Sequence, residues 1–378
     1  MANTRIFYAT QKAGIAPLGS TTYTTLRGLQ TLGMTTTFNL EQVFEIGQIG
    51  IYENVEGVPD VEISLEKVLD GYAPLYTLAT QLATSASLVG RSKASCQLAV
   101  SIYPDTNDQA EGAPGAEVQM SGLFVSSVGY SVSVDGNATE TMSLVGNHKV
   151  WVGLIAGTSN ATYANTTPFT DNDNPLSITG SGGVNRREDV LFEYSTDAAA
   201  TEGCASAASG QGTVLPQDIY GISASGTNDR DGNLQYGAHV QNFSSTVDLG
   251  REDLFELGRR TAYSKFVNFP IEVTTEIGVI STSGDLVSVT EEGLFSDPPC
   301  GGSNLTDRAI RLHMCEGLNL DLGCKNKLST VGVTGGDAGG GNVEVTYTYS
   351  NFNDFSVFHP SDPNWGNASF TPGYLVGA

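Results

Sequence analysis

The sequence predicts a mainly β chain made of two like domains in tandem. Three observations predict it. Glycine (45) and proline (14) are too frequent for a helical protein and suit a turn-rich sheet protein. Several segments alternate apolar and polar residues with the period of a half-buried strand. The same order of motifs recurs in both halves of the 378 residues, a length that exceeds a typical single domain. The boundaries read from this are 1–155 for the first domain, 156–213 for a polar linker or insertion, and 214–378 for the second domain.

In the first half, Val61-Glu62-Ile63-Ser64-Leu65-Glu66 places Val61, Ile63 and Leu65 on one face of a strand. Pro74 opens a helix that carries Leu75, Leu78 and Leu82 at i, i+3 and i+7 and stops before Gly90. Val128, Tyr130, Val132 and Val134 alternate with small residues; Asp135-Gly136 then offers a two-residue hairpin turn, and Thr139–Val145 returns. Residues 156–213 are rich in Ser, Thr, Asn, Gly and Ala, and only Val190–Tyr194 reads as a strand. They form either a surface linker or an arm that orders against a neighbouring subunit.

The second half repeats the first. Val43-Phe44-Glu45-Ile46-Gly47 recurs as Leu254-Phe255-Glu256-Leu257-Gly258, and Tyr52 and Pro59 match Tyr263 and Pro270 at the same offset. After a one-residue shift, Val61–Glu66 matches Ile271–Glu276. Phe38-Asn39-Leu40 matches Val247-Asp248-Leu249, Ile6–Ala9 weakly matches Asp218–Gly221, and Val128–Val145 has a counterpart in Leu328–Tyr349. Matches in one order along both halves point to a duplication. A duplicated chain presents two like edges, so a pseudo-sixfold ring needs three chains rather than six.

Composition excludes several functions. Eighteen Lys and Arg against 41 Asp and Glu leave a net charge of −23. Tight binding to nucleic acid or to anionic membranes draws on Lys and Arg, so both are disfavoured. No apolar run approaches the roughly 20 residues of a membrane span, and no apolar region follows the N-terminus to make a signal peptide. Five cysteines (Cys96, Cys204, Cys300, Cys315, Cys324) fit a reduced compartment without a disulfide framework.

No catalytic constellation, metal site or cofactor motif stands out. His148, His239, His313 and His359 lack metal-ligand spacing, and no Cys-x-x-Cys occurs. Gly221–Gly226 lacks the last glycine of a nucleophile elbow. The glycine run 335–341 lacks the Gly-Lys-Ser/Thr of a phosphate loop. Asp229-Arg230-Asp231-Gly232-Asn233 has its glycine too early for a calcium loop and reads as a turn. Asp171–Asn174 fits a polar loop as well as a loose cation site. The chain is not expected to be an enzyme.

The carboxylates have a different pattern. Glu62 and Glu66 flank Ser64 on the polar face of one strand, and Glu272 and Glu276 flank Thr274 in the other repeat. Each pair is about 13 Å apart, too far for one acid/base pair. Two readings stay open: a solvated sheet face, or the wall of a water-filled channel whose negative charge keeps DNA from sticking.

With these residues in view, the chain resembles the tail tube proteins of tailed bacteriophages. The resemblance rests on Asn3-Thr4-Arg5-Ile6-Phe7-Tyr8, on Phe38–Gly71, on Val247–Pro270 with the strand after it, and on Asn351-Phe352-Asn353-Asp354-Phe355. It implies two tandem tail-tube-like β-sandwich or barrel domains, each giving strands to a ring-wide β-barrel with a helix packed outside. Residues 156–213 have no counterpart in a plain tube domain, and the second domain offers only Glu291–Phe295 in place of the helix. The resemblance further implies homotrimeric pseudo-sixfold rings that stack into a hollow tube conducting viral DNA, with no cofactor. Glu62, Ser64, Glu66, Glu272, Thr274 and Glu276 would line the lumen. Ring stacking would use loops near Gly47–Gly57 and Gly258–Asn268, with Ile49, Tyr52, Glu53, Tyr263 and Lys265 as contacts. The implied partners are further copies of the chain and other tail proteins: the baseplate hub, the terminator and the tape measure. DNA would pass without tight binding, no membrane is engaged, and the location would be the virion after assembly in the host cytoplasm.

Three other readings compete. A baseplate hub or distal tail protein with tandem tube domains would make one ring and stop. A β-sandwich binding carbohydrate or a receptor is disfavoured by the missing signal peptide and by only two Trp (Trp151, Trp365). A β-rich hydrolase would need an acid/base pair at workable spacing.

Overall fold

The structure is a computed structural model and describes residues 6–104, 110, 114–153, 183–192, 238–258, 262–281, 310–315, 317–335, 341–362, 364–367 and 369. In chain order the strands of the first half are β1 (Gln11–Pro17), β2 (Thr24–Thr25), β3 (Leu29–Thr37), β4 (Leu40–Phe44), β5 (Ile51–Glu56), β6 (Asp60–Val68), β7 (Cys96–Ile102), β8 (Ala116–Ser133), β9 (Thr139–Gly146) and β10 (His148–Gly153). Two short helices, α1 (Leu75–Ala79) and α2 (Leu88–Ser92), lie between β6 and β7. β11 (Val190–Phe192) follows from the middle segment. The second half holds β12 (Ala238–Asp248), β13 (Arg251–Leu254), β14 (Ser264–Val267), β15 (Glu272–Ser281), β16 (Arg311–Met314), β17 (Asn319–Asp321), β18 (Lys327–Thr334), β19 (Glu344–Phe352) and β20 (Ser356–Phe358). The chain is mainly β, as the alternation predicts.

Eight strands form one continuous antiparallel layer in the order β3-β6-β9-β8-β12-β15-β19-β18. The first four come from the first repeat and the last four from the second, in matching order. β8 is long because it serves two layers. Its C-terminal part pairs with β9 and β12, and its N-terminal part pairs with β7 and β10. The crossing falls at Gly122, whose φ of 67° is open to glycine but strained for other residues, beside a register shift in the β7 pairing.

Alternation decides what each face meets. Val61, Ile63, Leu65, Met142, Leu144, Val128, Phe243, Val273, Ile277, Tyr347 and Tyr349 of the eight-strand layer are buried. Against them pack β1, β7 and α1 in the first half, through Ile15, Leu98 and Tyr76. In the second half the cover is the small sheet β11-β16-β17-β20, through Leu312, Leu320 and Val357. One buried cluster runs through both halves.

Three local expectations differ from what forms. The helix expected from Pro74 to before Gly90 ends at Ala79, and Leu82 is exposed. The Thr77 and Thr80 hydroxyls donate to the carbonyls of Pro74 and Tyr76, and Ser87 accepts from the Gly90 N–H to start α2. Gly90 therefore lies inside a helix. The turn at Asp135-Gly136 is part of a longer loop, because neighbours engage its backbone. Val134 N–H donates to the Gln241 carbonyl, and Ala138 N–H donates to the Asn185 carbonyl. Cys324 is disulfide-bonded, against the expectation of no disulfides; its partner lies outside the described residues.

Of the middle segment, Gly183–Phe192 is described and is built into the fold. Asn185 N–H donates to Leu69 O, and β11 pairs with β16. The strand read at Val190–Tyr194 is thus present over Val190–Phe192. The loops at Asp171–Asn174, Gly221–Gly226 and Asp229–Asn233, the match at Asp218–Gly221 and the segment Glu291–Phe295 lie outside the described residues. No helix among the described residues is long and apolar enough to cross a membrane.

Candidate assembly surface

The face of the eight-strand layer opposite the core is built from small polar and acidic residues. One row crosses all eight strands: Thr31, Glu66, Thr141, Gly129, Thr246, Thr274, Ser350 and Lys327. A neighbouring row holds Gly33, Ser64, Ser143, Ser127 and Asp248. A third holds Ser131, Ser244, Glu276, Thr348 and Thr330. All six residues singled out from the two Glu-x-Ser/Thr-x-Glu strands, Glu62, Ser64, Glu66, Glu272, Thr274 and Glu276, lie on this face. Glu62, Ser64, Glu272 and Glu276 are exposed, and Glu66 and Thr274 are half-buried. Glu66 accepts from the Thr31 hydroxyl at 3.1 Å. Sequence reading missed Thr31, Thr141, Thr246 and Ser350 in the same row. Their shared parity with Glu66 and Thr274 along each strand was the available signal.

The same face carries a small cleft at the end of the seam between β8 and β12, lined by Ser133, Asp135, Asn242, Asn342 and Glu344 among others. The Asn242 amide donates to Glu344 at 2.6 Å. Among the described rows of this face, Lys327 is the one cation.

Two hairpins project from this layer, each between the first and second strands of a repeat. β4 and β5 pair with each other, and every residue of both strands is exposed. β13 and β14 form the equivalent pair. Their tips correspond residue by residue: Phe44 and Phe255, Ile46 and Leu257, and Tyr52 and Tyr263 are all exposed. Gly47 and Gly258 each turn with positive φ, 105° and 86°. A lone two-stranded hairpin is marginal in water, and these two carry exposed apolar side chains at their tips. Ile49, Tyr52 and Glu53 are exposed on the first hairpin and Tyr263 on the second. Lys265 differs. Its side chain is largely covered and bonds Asp253 across the hairpin at 2.5 Å, so it braces the base.

Buried polar groups fasten these elements to the core. Glu140 accepts from the N–H groups of Leu75 and Tyr76 at 2.6 and 2.9 Å and from the Tyr130 hydroxyl at 2.8 Å. Burial pushes its carboxyl above the ordinary value, and these hydrogen bonds and Lys67 oppose the shift. Arg251, at the root of the second hairpin, donates to the carbonyls of Val125, Lys265 and Ser92 and lies over the Phe124 ring. Burial lowers its pKa to about 10. Of the histidines, His148, His313 and His359 contact Ser121, Asn319 and Ser361. Cys96 is fully buried, and burial raises its thiol to about 12.

No family model matches the chain, and no curated protein matches it. Among solved structures it is similar to a chain of the anti-feeding prophage baseplate, at 11% identity and a TM-score of 0.30, over 40% of this chain and 97% of that one. A chain of an extracellular contractile injection system sheath–tube complex in its extended state is similar at 14% identity and a TM-score of 0.30, over 40% and 95%. A chain of a native gene transfer agent particle is similar at 14% identity and a TM-score of 0.27, over 37% and 95%.

Proposed function

We propose that this chain is a structural protein of a phage-type tail, the major tail tube protein. Three copies would close head to tail into a pseudo-sixfold ring, and rings would stack into a hollow tube that conducts viral DNA. The observation that carries this reading is the seam between β8 and β12. There the last strand of one repeat pairs with the first strand of the next, over seven residue pairs from Asn242↔Ser133 to Asp248↔Ser127. The same kind of first strand, β3, and last strand, β18, remain as the outer edges of the layer. An open edge is a template for pairing, and a head-to-tail contact generates a ring if its rotation closes.

Strand direction supports closure. The layer has an even number of antiparallel strands, so β3 of a second copy would run antiparallel to β18 of the first without any reversal. Three copies would bring roughly 115 Å of sheet, and strand tilt widens the ring further. That encloses a bore wide enough for a DNA duplex. The bore would be lined by Glu62, Ser64, Glu66, Glu272, Thr274 and Glu276. A wall this acidic repels phosphate, so DNA would slide rather than bind. The exposed hairpin tips would reach the neighbouring ring.

Electron microscopy of the purified chain at high concentration tests this. Threefold rings of chains, stacked as hollow tubes, are the expected result. Sixfold rings of whole chains would refute the role given to the duplication. Single rings that refuse to stack would place the chain in a non-repeating hub instead. Replacing Ile46, Ile49 and Leu257 with Ser should leave rings and abolish tubes; long tubes from that variant would refute stacking through the hairpins.

A further inference from the structure

We infer that the seam between two copies reproduces the register of the seam inside one chain, which sets Met34 of one copy opposite Leu328 of the next. This rests on the ring reading above and deepens it. The correspondence can be carried strand by strand. Ile63 of β6 and Val273 of β15 match in the repeat, and their partners on the neighbouring strands are Met34 and Val247. Met34 therefore stands where Val247 stands. Leu65 and Thr275 likewise equate Leu32 with Ser245.

On the other side, Val128 pairs with Met142, which pairs with Leu65. Leu328 pairs with Tyr349, which pairs with Thr275. Leu328 therefore stands where Val128 stands. The same path equates Val331 with Tyr130 and Lys327 with Ser127. Inside the chain the opposed pairs are Val247↔Val128, Ser245↔Tyr130 and Asp248↔Ser127. Between copies they become Met34–Leu328, Leu32–Val331 and Thr35–Lys327.

Burial agrees with this register. In the closed internal seam, Val247 and Val128 are 1% and 2% exposed. Their counterparts at the open edges, Met34 and Leu328, are only partly buried although they pack on the core, and so are Leu29, Leu32 and Val331. The half-covered apolar side chains thus sit on both edge strands and on the core side of the layer. Pairing the edges in this register brings them together and completes their cover. On the opposite face it sets Lys327 of one copy beside Thr35 of the next, one strand from Glu62 in the same row.

Cysteine pairs in the full chain test the register. Each double variant is assembled, oxidised, run without reductant and mapped by mass spectrometry, which separates engineered bridges from native thiols. Thr35→Cys with Lys327→Cys should ladder to dimers and trimers. Thr37→Cys with Lys327→Cys, and Thr35→Cys with Thr330→Cys, report slips of two residues and should link at least tenfold more slowly. Met34→Cys with Leu328→Cys tests the same register on the core side should a polar-face variant fail to fold. Ladders from a slipped pair alone would overturn this register and leave the ring reading standing. No link between the two edges in any pair would remove the ring reading as well.

Discussion

Asp362→Asn should loosen the chain end of the second repeat from the helices of the first. Asp362 and Arg91 are each 1% exposed, and their charged atoms lie 2.7 Å apart. Arg91 also donates to the Thr80 hydroxyl at 2.7 Å and to the Val357 carbonyl at 3.1 Å, and lies over the Tyr76 ring. The substitution keeps the size of the side chain and removes its charge. The guanidinium then loses its carboxylate, and the Thr80 hydroxyl, the Val357 carbonyl and the new amide are neutral groups in a site closed to water. Breaking a buried pair in this way costs about 3–5 kcal/mol, roughly two to three and a half decades in an equilibrium constant. The sum falls on β20, because Phe355 and Val357 hold their ring and core contacts only while this segment is docked.

Denaturant unfolding and hydrogen exchange separate the global effect from the local one. The expected result is a loss of about 3–5 kcal/mol, with exchange in Ser356–Phe358 rising before exchange in β8. The double variant Arg91→Met, Asp362→Leu should recover most of that loss, since apolar side chains of similar size remove the desolvation penalty along with the attraction. A single variant within about 1 kcal/mol of the parent, with β20 still protected, would refute the reasoning.

Two further substitutions test other parts of the account. Glu140→Gln turns an amide toward the Leu75 N–H, a donor facing a donor, and should cost about 1–3 kcal/mol in urea unfolding. Burial raises the folded-state pKa of Glu140 above its ordinary 4.5, so its contribution is full below the unfolded value and declines as pH rises through the raised value. The gap between parent and variant should therefore narrow with rising pH, and a widening gap would refute the assignment. On the polar face, changing Glu62, Glu66, Glu272 and Glu276 together to Gln should leave assembly intact and increase the duplex DNA that cosediments with tubes at low salt; unchanged retention would show that these carboxylates do not keep DNA from sticking.

Faces were legible in the sequence, and neighbours were not. The period of two in Val61–Glu66 and Ile271–Glu276 placed each side chain on the side it occupies, because burial on one face fixes the alternation. The hairpins were legible too: Phe44, Ile46 and Tyr52 match Phe255, Leu257 and Tyr263 at one spacing, and all six are exposed. Glu140 shares its parity with Met142 and Leu144, so the alternation already pointed it inward. The upstream match of Phe38 to Val247 was out of register, since strand pairing equates Val247 with Met34. Short matches in Thr-rich segments cannot fix register, whereas hydrogen-bonded pairing can. Arg91 and Asp362 are 271 positions apart, and no local pattern announces a contact of that range.

Joining the repeats through β8 and β12 has a consequence for assembly that the repeat alone does not give. Had the two halves packed core to core, their two four-stranded sheets would offer four open edges and no record of how an edge is meant to pair. Pairing them side by side consumes two edges and leaves two, and those two are the same types as the pair already joined. The internal seam is therefore a worked instance of the contact the outer edges would need, made at the high effective concentration of a single chain. An exposed edge invites indiscriminate pairing unless something restricts the partner. Here the restriction would be the register itself. Each edge strand keeps its faces through its own layer, so a slip of one residue would set polar-face Thr35 opposite core-face Leu328 and break the match of faces along the whole seam.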